Sequence, residues 1–183
     1  MAFLRMAAFG LVLTGLAVVG GSAVAAETDP VARFYGHFAG SAIATQKFPK
    51  SFGKLSNRDL DVTIRRGKDG GFSISWGTVF RERNPKLSRK REVTMHFRRT
   101  AKAHVWRAKR SGDPLADLPL IWARLDGKAL LVYIFGLKAS GSSSMAIYRR
   151  TVTKDVMTLE FERREDGKVV RWVKGRLKRQ GKK

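Results

Sequence analysis

From Phe34 onward the chain alternates apolar and polar residues with a period of two, and no long helical period interrupts it. Leu60, Val62 and Ile64 alternate with Asp61, Thr63 and Arg65, which predicts a strand with one dry face and one wet face. Gly67-Lys68-Asp69-Gly70-Gly71 supplies residues that tolerate positive φ in a tight reversal. Phe72, Ile74 and Trp76 then resume the alternation against Ser73, Ser75 and Gly77, so the two runs form a hairpin. Ahead of them, Phe34, Gly36, Phe38 and Gly40 are predicted to share one face of a first strand, continued by Ala42 and Ala44. Small residues at every second position let a strand bend or let another backbone come close.

The same rhythm continues to the end. Val93, Met95 and Phe97 mark a strand, followed by one around 103–108 and a longer loop from Ser111 to about Leu118. The runs 121–125 and 129–137 flank Asp126-Gly127, a strong hairpin signal. After the turn Ser140–Ser144 come strands at 145–152 and around Met157, Leu159 and Phe161, then the turn Asp166-Gly167 and a last strand over 168–178. Roughly ten strands joined mostly by hairpin-length turns must bury one common face. Meander order predicts an all-β fold, an antiparallel up-and-down barrel of roughly eight to ten strands, in preference to a Greek-key sandwich. With no linker or internal repeat, residues 27–183 are expected to form one domain that ends in a basic tail.

The first residues differ from this pattern. Arg5 is followed by an uncharged stretch from Met6 to Ala26, which ends in Ala23-Val24-Ala25-Ala26 before the polar Glu27-Thr28-Asp29-Pro30. A charged start, an apolar middle and a small-residue exit predict a cleaved signal peptide over residues 1–26 and a bacterial periplasmic location. An uncleaved anchor is the alternative, because the apolar stretch is nearly long enough to span a bilayer. The chain has no cysteine, which rules out disulfides and a lipoprotein anchor.

Charge narrows the choice of partner. Lys and Arg total 37 against 15 Asp and Glu, a net charge of +22. Arg5 is the only charged residue among the first 26, so the remainder carries 36 basic and 15 acidic residues, a net +21. A field of that size draws polyanions and anionic surfaces. For an exported protein these are lipid headgroups, glycolipids and small acids, and no nucleic-acid partner is expected. The densest run is Arg81, Arg83, Lys86, Arg89, Lys90 and Arg91, a candidate for binding anionic surfaces or a merely solvated loop. A second run extends from Lys174 to Lys183.

Several of these segments resemble known proteins. Gly36-His37-Phe38 is similar to the Gly-x-Trp that opens the first strand of the calycin group (lipocalins, fatty-acid-binding proteins and bacterial relatives), with Phe in place of Trp. Further segments resemble uncharacterised exported proteins of Gram-negative bacteria: Arg58–Ile64, Gly71–Trp76, Gly112–Leu115, Trp122–Gly127 and Tyr148–Arg150. The resemblance spans nearly all of the chain after residue 26. It implies a lipocalin-like barrel and no particular activity.

Motifs for catalysis are missing. His37, His96 and His104 have no metal-ligand spacing to one another or to a carboxylate, and are expected on strands in structural roles. The serine turn has no nucleophile-elbow pattern, and the glycine clusters sit between strands rather than opening a helix. Asp61, Glu160 and Glu162 alternate with apolar residues and are expected as outward ion-pair partners. The reading is therefore non-enzymatic, with no cofactor and no metal. Trp76, Phe97, Trp122, Tyr133, Tyr148, Phe161 and Trp172 lie in separate strands, and those facing inward would meet in the barrel. Small barrels either fill that space or enclose one ligand. Arg124 and Arg150 share strand parity with Trp122 and Tyr148; on an inward face a guanidinium needs a carboxylate or an acidic ligand, and on an outward face the two are ordinary surface arginines. The expected ligand site is thus Trp76, Phe97, Trp122, Arg124, Tyr148 and Arg150, holding a small hydrophobic or amphipathic molecule, with an acidic one as an option. The alternative is an envelope protein that binds anionic lipid or glycolipid through its basic outer surface.

Overall fold

The computed structural model describes residues 29–45, 55–80 and 89–181. The expected signal peptide, residues 1–26, lies outside them. Ten strands follow in chain order: β1 (Gly36–Thr45), β2 (Leu55–Arg66), β3 (Phe72–Phe80), β4 (Arg89–Arg99), β5 (Val105–Ala108), β6 (Leu120–Asp126), β7 (Ala129–Leu137), β8 (Ser143–Thr153), β9 (Val156–Glu165) and β10 (Lys168–Gln180). Each pairs antiparallel with its neighbours in sequence, and β1 pairs with β10 to close the barrel. The meander read from the turn signals is therefore the observed topology.

One face of each strand supplies the core, as the alternation requires. Phe38 and Ala42 on β1, Val62 and Ile64 on β2, Ile74 on β3, Leu130 and Val132 on β7, Met157 on β9 and Leu177 on β10 are all buried. Closure at β1–β10 depends on small residues. A Cβ on Gly40 would lie 2.8 Å from the Leu177 Cα, and one on Gly175 would lie 3.1 Å from the Ala42 Cβ. The backbones of the two strands can approach only because those side chains are absent.

One end of the barrel is plugged. The expectation that Phe34 begins the first strand is not met: Ala32–Phe34 form a single 3-10 turn, and β1 starts at Gly36, whose φ is 135°. The turn delivers Val31 and Phe34, both fully buried, into the core cluster that also holds Phe38, Phe72 and Trp106. Phe72 stacks on Phe97 with ring centroids 4.9 Å apart and meets Trp106 edge-on at 5.4 Å. The Trp106 indole N–H donates to the Gly70 carbonyl at 2.9 Å, so the buried ring leaves no polar atom unsatisfied.

Polar contacts pin the plug in place. Asp29 accepts from the Val31 amide at 3.0 Å and from the Tyr35 hydroxyl at 2.7 Å, and it pairs with Arg66 at 3.3 Å. Arg179 donates to the carbonyls of Tyr35 and Arg33 while its guanidinium lies 4.5 Å from the Phe38 ring centre. The basic run from Lys174 to Arg179 is thus part of β10 rather than a tail, with Lys174, Arg176 and Lys178 on its exposed face.

Candidate functional site

Beyond the plug the barrel holds a half-open cavity of about 540 Å³. Its walls are mainly apolar, formed by residues such as Leu60, Val62, Val93, Met95, Ile134 and Phe161. Trp76, Tyr148 and Arg150, expected at the site, line it. Trp76 and Tyr148 meet at 5.2 Å, Tyr148 and Phe161 at 4.7 Å, and the three rings form one aromatic wall.

Arg150 is the unusual residue of this wall. Its side chain is fully buried, yet Nε and both terminal nitrogens have no hydrogen-bond partner. The guanidinium carbon lies 5.6 Å from the Trp76 ring centre and 5.3 Å from that of Tyr148, within the range of cation–π attraction. That attraction returns only part of the hydration a buried guanidinium loses. Burial accordingly pushes the Arg150 pKa down to about 10, with Tyr148 acting in the opposite sense. At neutral pH the group remains a cation. The guanidinium is thus a buried cation held against ring faces, with no hydrogen bond to its nitrogens.

The other three expected residues do not reach the cavity. Phe97 faces inward, but lies in the plug stack against Phe72. Trp122 and Arg124 face outward, because Ile121 and Ala123 take the buried positions of β6. Trp122 stacks on Tyr133 at 4.8 Å with the rings nearly parallel. Arg124 donates from Nε to the Tyr133 hydroxyl at 3.2 Å and approaches Asp126 at 3.5 Å. Arg124 and Arg150 share a parity of residue number but sit on different strands: Arg124 pairs with Leu131 and Leu131 with Arg149, so the register sets Arg124 on the face opposite to Arg150. Of the basic run, Arg81, Arg83 and Lys86 lie outside the described residues. Arg89, Lys90 and Arg91 begin β4.

The structure adds cations that the sequence reading did not place at the site. Lys138, Arg163 and Arg171 also line the cavity, at the end where β7 turns into β8. Arg163 was legible, because it continues the inward series Met157, Leu159, Phe161 along β9. Arg171 was not. The two-residue turn at Asp166-Gly167 would by itself set Val170 opposite Arg163, but the register shifts between Val169 and Arg171, and Arg171 takes that place.

Several other polar groups have structural partners. His37 meets Asp61 at 2.8 Å on the outer face, Arg149 approaches Glu160 at 3.9 Å, and Arg164 pairs with Glu162 at 2.8 Å. These are the outward acids read from the alternation. His96 is exposed on β4, and His104 lies in a turn at φ 59° rather than on a strand. Among the described residues no three metal-ligating side chains come together.

No protein-family model and no curated protein matches the sequence. Solved structures do match the fold. One is a protein of unknown function of the DUF3598 family from Nostoc punctiforme, at a TM-score of 0.53 and 13% identity; the match covers 82% of this chain and 49% of that one. The chain thus spans about half the length of that protein. Another is Rv2717c from M. tuberculosis, at a TM-score of 0.52 and 13% identity, over 82% of this chain and 95% of that one. At such identity the likeness extends to the barrel fold alone, which is compatible with the calycin-like architecture.

Proposed function

We propose that this protein is a non-enzymatic binding protein, exported to the periplasm, that holds a small amphipathic acid inside its barrel. The single observation that carries the reading is Arg150, a fully buried cation without a hydrogen-bond partner that lines the barrel cavity. A ligand carboxylate would supply the missing charge-assisted hydrogen bonds, and its hydrocarbon part would displace water from the walls. A volume of about 540 Å³ falls within the range of small-molecule sites. Calorimetric titration with dodecanoate and with dodecanol, on the parent and on Arg150→Met, tests the proposal. Dodecanoate should bind the parent at least about tenfold more tightly than the alcohol, and the variant should lose that preference. Equal affinity for acid and alcohol would remove Arg150 from the reading, and failure of both to bind would remove the carrier.

A second reading, docking on anionic lipid, has an observation of its own. Arg98 and Arg107 stand directly opposite each other on the outer face, and Arg107 pairs in register with Trp122 beside Tyr133. Opposed like charges are unfavourable unless an anion intervenes. Binding to anionic vesicles that fades with salt, and that is weakened in Arg98→Ser/Arg107→Ser, would favour it.

A further inference from the structure

Strands of an up-and-down barrel alternate in direction, so chain order fixes what stands at each end. The plug lies where β3 and β5 begin, at Phe72 and Trp106. At the other end β1, β3, β5, β7 and β9 finish and β2, β4, β6, β8 and β10 start. The cavity opens there, lined by Pro119, Leu137, Lys138 and Ser144.

The two ends differ in apolar surface. Among the described residues four large hydrophobic side chains are exposed, and all four stand toward the mouth end. Ile43 lies two residues before the end of β1 and Val169 is the second residue of β10, each about half exposed. Leu115 and Leu118 project from the link between β5 and β6 and are 85% and 57% exposed. Single surface leucines are ordinary, but a set confined to one end, around an opening, marks a contact surface.

The link is built to hold its leucines out. The Asp113 carboxylate accepts from the Leu115 amide at 3.0 Å, and the Asp113 carbonyl accepts from the amides of Ala116 and Leu118, each at 3.0 Å. Gly112 closes the base by donating to the Pro119 carbonyl at 2.8 Å, and Leu118 leaves no room there for a Cβ.

Charge and shape favour lipid as the occupant. Lys109 and Arg110 are exposed at the foot of the link, and β4 starts at this end with Arg89, Lys90 and Arg91. Against them the link carries Asp117 and Asp113, the latter bonded to the Leu115 amide. A second copy of the chain would bring the same cations together. A folded partner needs a matched, closely packed surface, whereas these side chains stand separately around an opening. A bilayer takes up separate leucines without matched shape, and its anionic headgroups meet the cations.

We infer that the mouth end of the barrel docks on anionic phospholipid, with Leu115 and Leu118 inserted into the bilayer and the cavity opening toward it. The inference rests on the lipid-docking reading above and fixes which end makes the contact; it does not depend on Arg150.

Because the chain has no cysteine, Leu115→Cys offers a single attachment point for the fluorophore nitrobenzoxadiazole. Lys128→Cys, in the exposed turn between β6 and β7 at the plugged end, is the labelled control. On vesicles of equal parts phosphatidylglycerol and phosphatidylcholine, the label at position 115 should brighten and shift to the blue, and the label at position 128 should not. In co-sedimentation at physiological salt, Leu115→Ser/Leu118→Ser should bind these vesicles at least about tenfold more weakly than the parent. Circular dichroism and thermal melting confirm that this variant is folded. If the parent binds while neither the double substitution nor the label at position 115 has any effect, the mouth contact is overturned and lipid docking by another face stands. Equal binding of the parent to pure phosphatidylcholine overturns the choice of anionic lipid. A parent dimer that the double substitution dissociates gives the leucines to a second copy and overturns the inference. If the parent binds no vesicles, the lipid reading and the mouth contact fall together.

Discussion

Arg150 makes opposite demands on stability and on binding. A buried guanidinium without a carboxylate is a standing cost to the empty fold, and replacing such a group with an apolar residue of similar length commonly stabilises. Arg150→Met should therefore raise the unfolding free energy by about 1–3 kcal/mol while abolishing the preference for acids. Denaturant titration at neutral pH measures the first effect. The pH dependence of the difference has a definite sign. The folded state holds the Arg150 pKa at about 10, below its ordinary value. Below pH 10 both states are protonated and the cost is constant. Above it the folded protein releases the proton first, so the parent gains on the variant as pH rises. Tyr35 works the other way. Burial, and then its bond to Asp29, push its pKa up, so the folded phenol keeps its proton where the unfolded one has lost it. Its contribution is present in full below about pH 10 and is lost as pH rises further. Tyr35→Phe should cost about 1 kcal/mol at neutral pH and should lessen the alkaline loss seen by denaturation at pH 7 and pH 11.

At the scale of the element, barrel closure turns on one position. Gly40 faces the β10 backbone so closely that a methyl group would press on Leu177 Cα and on the Arg176 carbonyl, while nothing lies within 4 Å of a Cβ on Gly136. Gly40→Ala should destabilise by about 1–3 kcal/mol through forced separation of β1 and β10. Gly136→Ala should stay within about 0.5 kcal/mol, although both glycines interrupt strands. Parallel thermal melts check the contrast. The alternation in the sequence marked both residues as strand positions, and only the packing distinguishes them. The same limit applied to β6 and β8. Their period-2 patterns were plain, but which phase faced inward depended on the neighbouring strands, so Trp122 and Arg124 were grouped with Tyr148 and Arg150 and in fact stand on the opposite side of the sheet.

For the whole molecule, net charge and the proposed export reach beyond the barrel. If the run at residues 81–91 docks the protein on anionic membranes, each cation near the surface adds about 1 kcal/mol at low salt. Replacing Arg89, Lys90 and Arg91 with Ser should then weaken vesicle binding by up to about a hundredfold. Co-sedimentation at low and physiological salt, with neutral vesicles as the control, reads this out; equal binding by parent and variant would assign the run to solvation. Export makes a simpler prediction. Intact mass of the protein from a periplasmic extract should place the first residue at Ala26 or Glu27, and retention of Met1 in a membrane fraction would contradict it.

The strand count, the meander and the barrel were legible along the chain, because period-2 alternation and two-residue turns are local properties. Asp126-Gly127 and Asp166-Gly167 announce their hairpins whatever surrounds them. The cavity and the buried cation in its wall were not legible in the same way. Whether a barrel interior is filled or open depends on how side chains from several strands add up across it, and no single strand carries that sum. Arg171 shows the difference at one residue: its turn implies one face, and the bulge before it selects the other. Arg150 shows it again. Its parity with Tyr148 put it among the expected site residues, but parity put Arg124 there as well; only the closed sheet makes Arg150 a buried cation against Trp76 and Tyr148 and leaves Arg124 outside.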